Sequence, residues 1–194
     1  MSGQRTYLII GLGNPGREYR NTRHNIGFML LDELALKLST TFTHVQSRAL
    51  VADCHYMESK IILAKPQTFM NLSGKSVQGL IHFYNLPLGN LLIAHDDLDL
   101  PVGTIRIRPD GGSAGQKGMS STIEHLGTNE FPRLRLGIGR PPGRMLVHDY
   151  VLEHFTGNEL MVMAQTLGIA VEAALKWVSD GLDAAMNKYN GTII

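Results

Sequence analysis

Four polar segments, each near the end of an apolar run, hold the side chains that could do chemistry. The segment GLGNPGREYRNTRHNIG (11–27) carries Asn14 and His24. KPQTFMNLSGKS (65–76) carries Asn71, preceded by two large apolar residues, Phe69 and Met70. LLIAHDDLDLPVG (91–103) carries His95, Asp96, Asp97 and Asp99. RIRPDGGSAGQKGM (106–119) is basic and rich in glycine. Asparagines, a histidine and a carboxylate at strand ends suggest acyl or ester chemistry without a metal. Each residue also has a plainer reading: a surface histidine, an asparagine capping the helix that follows, an acidic run in a solvated turn. What sets these segments apart as a group is that all of them fall on one topological edge.

Gly11-x-Gly13-x-x-Gly16 follows the apolar run Tyr7-Leu8-Ile9-Ile10 and on paper is a dinucleotide fingerprint. Such a site needs a helix to begin at the glycines, so that its N–H groups point at the pyrophosphate. Here a polar run extends to Asn25, and the helical pattern starts about ten residues late. The acidic residue that should hold the ribose falls near Asp32 or Glu33, inside that helix. The segment reads better as a rigid loop at a strand's C-terminal end, where open α/β sheets place their sites.

Alternating element types must position these loops. Residues 7–11, 91–94, 102–108 and 134–138 read as strands, and 48–56 with 60–64 as a strand pair. Ile26, Met29, Leu30, Leu34 and Leu38 form one stripe of a helix over 26–38. Val77, Leu80, Ile81 and Tyr84 do the same for 73–85. A short helix is expected at 118–126. Thr156 with Glu159 forms a capping box ahead of a helix over about 157–178, and a last short helix follows a break at Asp180 or Gly181. The sum is an α/β protein, one domain over 1–194, with a mixed twisted β-sheet and helices on both faces.

Composition narrows the class. A chain of 194 residues suits one domain with a sizeable core. No apolar run approaches the roughly 20 residues of a membrane span. The start, Met1 to Thr6, is short and polar without a signal-peptide layout, so a cytoplasmic protein is expected. The single cysteine, Cys54, reads as a half-buried strand residue and cannot form an internal disulfide. Net charge is only +1, but it is unevenly spread. Residues 101–144 hold seven Lys/Arg against three Asp/Glu, and residues 145–194 hold two against six. Arg5, Arg17, Arg20 and Arg23 add to the basic side, a plausible footprint for a polyanion.

The strings GLGNPGREYRNTRHNIG, KPQTFMNLSG, AHDDLDLPVG, GGSAG, HLGTNEFPRLRLGIGRP and VLEHF, in this order over residues 7–155, resemble the bacterial peptidyl-tRNA hydrolases. The resemblance implies a monomeric cytoplasmic enzyme that cleaves the ester between a peptide and the 3′ ribose of tRNA. Its partner is an RNA, with no membrane, metal or cofactor. By the same resemblance His24 is the general base and Asp96 holds and stabilises its imidazolium. Asn71 contacts substrate and can donate to the oxyanion, and Asn14 reads the first peptide amide. Tyr19, Phe69 and Met70 line the cleft for the terminal nucleotide and the peptide. Arg108 and Arg135 match the basic pair that clamps the tRNA 5′ phosphate. One departure stands out. Where the family's glycine loop commonly reads Gly-Gly-His-Asn-Gly, this chain reads Gly115-Gln116-Lys117-Gly118. Lys117 thus replaces the asparagine that touches the tRNA end, and is expected to meet a phosphate as a point charge. Some relatives in the wider group bind RNA without hydrolysing it, which supplies the alternative of a non-hydrolytic accessory protein. The intact His24 and Asp96 argue against it.

Overall fold

Alternation along the first strand decides how both faces of the sheet are built. In β1 (Arg5–Gly11), Tyr7 and Ile9 point to one apolar cluster while Leu8 and Ile10 point to another. A strand buried on both sides needs helices over both faces. The computed structural model, which describes residues 5–192, supplies them. The polar start read at residues 1–6 lies, up to residue 4, outside the described residues.

The chain continues through α1 (Ile26–Lys37), β2 (His44–Gln46), β3 (Ala49–Tyr56), β4 (Ser59–Pro66) and α2 (Ser73–Tyr84). Then come β5 (Leu91–Asp97), β6 (Thr104–Arg108), α3 (Lys117–Leu126) and β7 (Arg133–Gly137). The end is helical, with α4 (Val147–Val151), α5 (Asn158–Asp180) and α6 (Leu182–Tyr189), before the short β8 (Gly191–Thr192). The strands form one sheet in the order β2-β3-β4-β1-β5-β7-β6-β8. Its centre, β4-β1-β5-β7, is parallel, and the outer pairs are antiparallel. This is the expected α/β class, a mixed sheet with helices on both faces.

Leu30, Leu31 and Leu34 of α1, with Leu167, Val171 and Trp177 of α5, build one layer. The Trp177 ring meets Tyr7 edge-on at 5.0 Å. Val77 and Leu80 of α2, with Met119 of α3, build the other layer. By length and composition α5 could cross a membrane, but half of its apolar window is buried inside the domain.

After β1 the chain passes through α1 to β4 on one side, then through α2 to β5 on the other. This reversal opens a crevice at the C-terminal ends of the strands beside β1. Two glycines close the packing there. A Cβ on Gly11 would lie 2.1 Å from the Gly27 carbonyl oxygen, and one on Gly27 would lie 2.5 Å from the Leu12 nitrogen. Only a pair without side chains lets the first turn of α1 rest on the end of β1. Gly11 and Gly13 of the opening segment therefore face the side of α1, which starts only at Ile26.

Several boundaries differ from the expectations. β5 runs on through His95, Asp96 and Asp97, so these residues belong to the strand and not to a turn after it. β6 begins at Thr104, because Val102 and Gly103 lie in the preceding turn. β2, α4 and β8 span three, five and two residues, too short to show a period. Cys54 is buried, not half-buried, and burial pushes its thiol up to about 11. The capping box forms by half. The Glu159 carboxylate accepts the Thr156 N–H at 3.1 Å, but the helix starts after Gly157 and takes no side-chain cap there.

Replacing Gly27 by alanine drives a methyl group into backbone. We expect a loss of at least about 1–3 kcal/mol, the usual cost of overpacking. The urea midpoint falls with little change in slope. An unchanged midpoint would mean that the contact is loose.

Candidate active site

A cleft of about 730 Å³ opens at the strand ends beside β1. It brings together Asn14, Tyr19 and His24 from the loop after β1, Phe69, Met70 and Asn71 from the loop after β4, Asp96 from β5 and Lys117 from α3. Val147, Val151 and Leu152 form an apolar wall opposite. Two residues named from the sequence, Arg108 and Arg135, do not line it.

His24 sits in a 3-10 turn (Arg23–Asn25) just ahead of α1, and both neighbours pin it. The Arg23 guanidinium binds both Glu159 carboxylate oxygens, at 2.9 and 2.8 Å, and lies against the rings of Tyr150 and Phe155. Its backbone N–H donates to the Glu153 carbonyl at 2.9 Å. On the other side, the Asn25 side chain exchanges two hydrogen bonds with the Asn14 backbone, at 2.8 and 2.9 Å. The loop histidine is thus nearly buried in a braced turn, at odds with a plain surface reading.

His24 Nδ1 lies 2.8 Å from Asp96 Oδ2. Burial would push the Asp96 carboxyl up. The charge and hydrogen bond of His24, the Gln116 amide and the charge of His95 outweigh burial and hold it below the usual carboxylate range. An ionised carboxylate only accepts, so His24 Nδ1 carries the proton in this contact. In the neutral ring Nε2 is then a lone pair, the form of imidazole that can take a proton from water.

Asp97, the last residue of β5, and Asp99 in the turn after it have other partners. Asp97 binds Arg135 Nε and accepts the Asp99 N–H at 2.8 Å. Asp99 binds Arg140 on the surface. His95 is buried with Nδ1 on the Asp96 carbonyl oxygen, and burial pushes its imidazole down.

Asn14 Oδ1 accepts the Met70 N–H at 2.8 Å, which joins the first loop to the second. Its amide N–H₂ is left for the cleft. Asn71 is exposed and does not cap α2, whose preceding residue is Leu72, so the capping reading fails. Phe69 is 58% exposed, an apolar ring left open at the cleft, whereas Met70 is buried.

Arg106 and Arg108 of β6 stand opposite Arg135 and Arg133 of β7. Cross-strand partners and alternate residues share a face, so all four arginines lie on one side of the sheet. Arg133 is fully buried and donates to the carbonyl oxygens of Gly111, Gly112, Asn129 and Phe131. Arg23 and Arg133 thus count as interior structure, and the basic footprint read from the sequence is smaller by those two charges. Among the described residues no group of three or more His, Cys, Asp or Glu is placed to hold a metal ion.

The sequence reading gave Arg23, Asn25 and Gln116 no role at the site, taking Arg23 only as part of the basic footprint and Gln116 only as a departure in the glycine loop. Arg23 and Asn25 flank His24 directly, and that adjacency was the only signal available.

The peptidyl-tRNA hydrolase family model matches residues 8–193. A peptidyl-tRNA hydrolase of Syntrophomonas wolfei is 47% identical over 94% of this chain and 99% of its own length. One from Carboxydothermus hydrogenoformans is 48% identical over 95% and 98%. Among solved structures, the peptidyl-tRNA hydrolase of Acinetobacter baumannii superposes with a TM-score of 0.91 at 35% identity, over 100% of this chain and 99% of that one. An Arabidopsis thaliana 5′-methylthioadenosine nucleosidase, 10% identical with a TM-score of 0.50, shares the fold alone.

The lowered Asp96 carboxyl also bears on stability. A carboxyl held below its unfolded value, about 3.9, stabilises the fold above that pH. The contribution is lost as pH falls through the lower folded value. In Asp96→Asn this part of the acid limb should be missing. Urea unfolding at a series of pH values from neutral downward measures it, and parallel curves for both proteins would contradict the assignment.

Proposed function

The chain belongs to the peptidyl-tRNA hydrolase family, and on that premise we propose that its cleft works by general-base hydrolysis centred on His24 and Asp96. The overall reaction is the family's: water cleaves the ester joining a peptide to tRNA and releases both. The reading as a non-hydrolytic RNA-binding protein finds no support among the relatives. The observation that carries the mechanism is the 2.8 Å contact from His24 Nδ1 to Asp96 Oδ2 at the cleft.

In this mechanism His24 Nε2 takes a proton as water attacks the ester carbonyl carbon. The imidazolium that forms is stabilised by the Asp96 carboxylate. Negative charge gathers on the former carbonyl oxygen, and the exposed Asn71 amide can donate to it. When the tetrahedral intermediate collapses, the C–O bond to the ribose breaks. Nε2–H returns its proton to the leaving 3′ oxygen.

Asn14 gives selectivity. With Oδ1 held by Met70, its amide can only donate. The carbonyl of a first peptide amide can accept that bond. A free aminoacyl ester offers an ammonium there instead, which cannot. Tyr19, Phe69 and Met70 would hold the terminal nucleotide and the peptide against the cleft. Exposed Arg108, and the guanidinium nitrogens of Arg135 beyond Nε, would meet the 5′ phosphate. Lys117, exposed at the first turn of α3, would meet a phosphate of the single-stranded tRNA end. The enzyme acts as a monomer in the cytoplasm, without a metal or cofactor.

Hydrolysis is tested with an N-blocked aminoacyl-tRNA beside the free aminoacyl-tRNA. Wild type should release tRNA from the first far faster than from the second. His24→Ala should lower that turnover by at least about 10²-fold, the scale of a general base. Near-normal turnover in the variant would refute the mechanism, and no release by wild type would refute the activity.

Lys117→Ala should weaken tRNA binding at low salt. It should also flatten the slope of log affinity against log salt by roughly 0.7, as for one lost single-strand phosphate contact. Equal slopes on the same tRNA would reduce Lys117 to an ordinary surface lysine.

A further inference from the structure

Gln116 closes the ring of contacts around the proposed catalytic pair. It precedes α3, and its Oε1 accepts the Met119 N–H at 2.6 Å as the cap of that helix. Its Nε2 donates to Asp96 Oδ1 at 2.9 Å and lies 3.2 Å from the Met70 sulfur. The side chain is buried. The amide can point only one way. Reversed, it would set its oxygen against the carboxylate and its N–H₂ against the Met119 N–H, and both contacts would repel.

Asp96 is therefore held at both oxygens, Oδ2 by His24 and Oδ1 by Gln116. A carboxylate turns about a broad terminal torsion. One hydrogen bond leaves that rotation soft, and a second from a different element fixes the plane. We propose that Gln116 is a positioning residue for hydrolysis, locking the rotation of the Asp96 carboxylate so that Oδ2 stays on His24 Nδ1. This rests on the reading of His24 and Asp96 as the catalytic pair. Through the same side chain, the first turn of α3, which carries Lys117, is tied to the end of β5. The simpler possibility is that Gln116 only caps α3.

Two substitutions separate these roles. Gln116→Ser keeps a capping hydroxyl but cannot reach Asp96. Its kcat should fall by about 10- to 100-fold, the scale of a small misplacement of a catalytic group, with KM and melting temperature near wild type. Gln116→Glu keeps the shape and the cap acceptor but replaces the donor by a carboxyl. Two carboxyls in contact cannot both ionise, so this one can donate to Asp96 only while protonated. The ratio of its kcat to wild type should therefore fall as pH rises. The charged groups acting on Asp96, His24 and His95, are common to all three proteins.

A third readout does not depend on turnover. The His24 Nδ1–H resonance, observed by proton NMR, should shift or broaden in Gln116→Ser. Unchanged kcat in the serine variant, a loss that merely follows its melting temperature, or a flat ratio for the glutamate variant would each overturn the proposal. So would an unmoved resonance. If wild type cleaves the N-blocked substrate and Gln116→Ser matches it, only this inference fails. If wild type does not cleave it, the mechanism fails, and the resonance still decides whether Gln116 holds Asp96.

Discussion

A carboxylate removed from water must be met by donors, and the environment of Asp96 is built to meet it. An ionised group without such partners would cost several kcal/mol in a protein interior. Here one donor comes from the turn before α1 and the other from the cap of α3. The carboxylate stands at the end of β5, in the centre of the parallel strands. Three elements distant in the chain thus converge on two oxygen atoms. Moving any of them leaves a buried charge short of a donor.

The second constraint is the bracing of His24. A histidine on a free loop would sample many positions and meet Asp96 in few of them. Arg23 and Asn25 remove that freedom in opposite directions, one toward α5 and the other toward the loop after β1. The Asn14 side chain extends the brace to Met70. The missing half of the capping box belongs to Thr156, because the Glu159 N–H donates to the Thr156 carbonyl and not to its hydroxyl. The Glu159 carboxylate serves a buried guanidinium as well as a helix end.

Four arginines on one face of two adjacent strands would repel one another. The arrangement persists because two of them have other partners. Arg133 turns inward to four carbonyl oxygens and ties down the glycine-rich loop. Arg135 shares its charge with Asp97. Arg106 and Arg108 remain toward solvent, and the outward charge is available for a polyanion.

The elements were legible in the sequence because burial on one or two faces writes a period into the chain, as it does for α1, α2 and β1. The three segments that carry Asn14 and His24, Asn71, and Asp96 were legible because they lie at strand ends on one edge of an α/β sheet, although Asp96 itself falls inside β5. The short elements β2, α4 and β8 were not, since a few residues cannot show a period. Nor could the sequence tell surface charge from interior charge. Arg23 and Arg106 are the same letter, but one is enclosed by Tyr150, Phe155 and Glu159 and the other is not. Gln116 looked like a mere departure in a loop. Its two hydrogen bonds depend on the distance between a helix start and a strand end that only packing brings together. Local sequence determined which residues could do the chemistry. The tertiary structure decided their partners, because each contact at the site joins segments whose separation is set by how helices pack on the sheet.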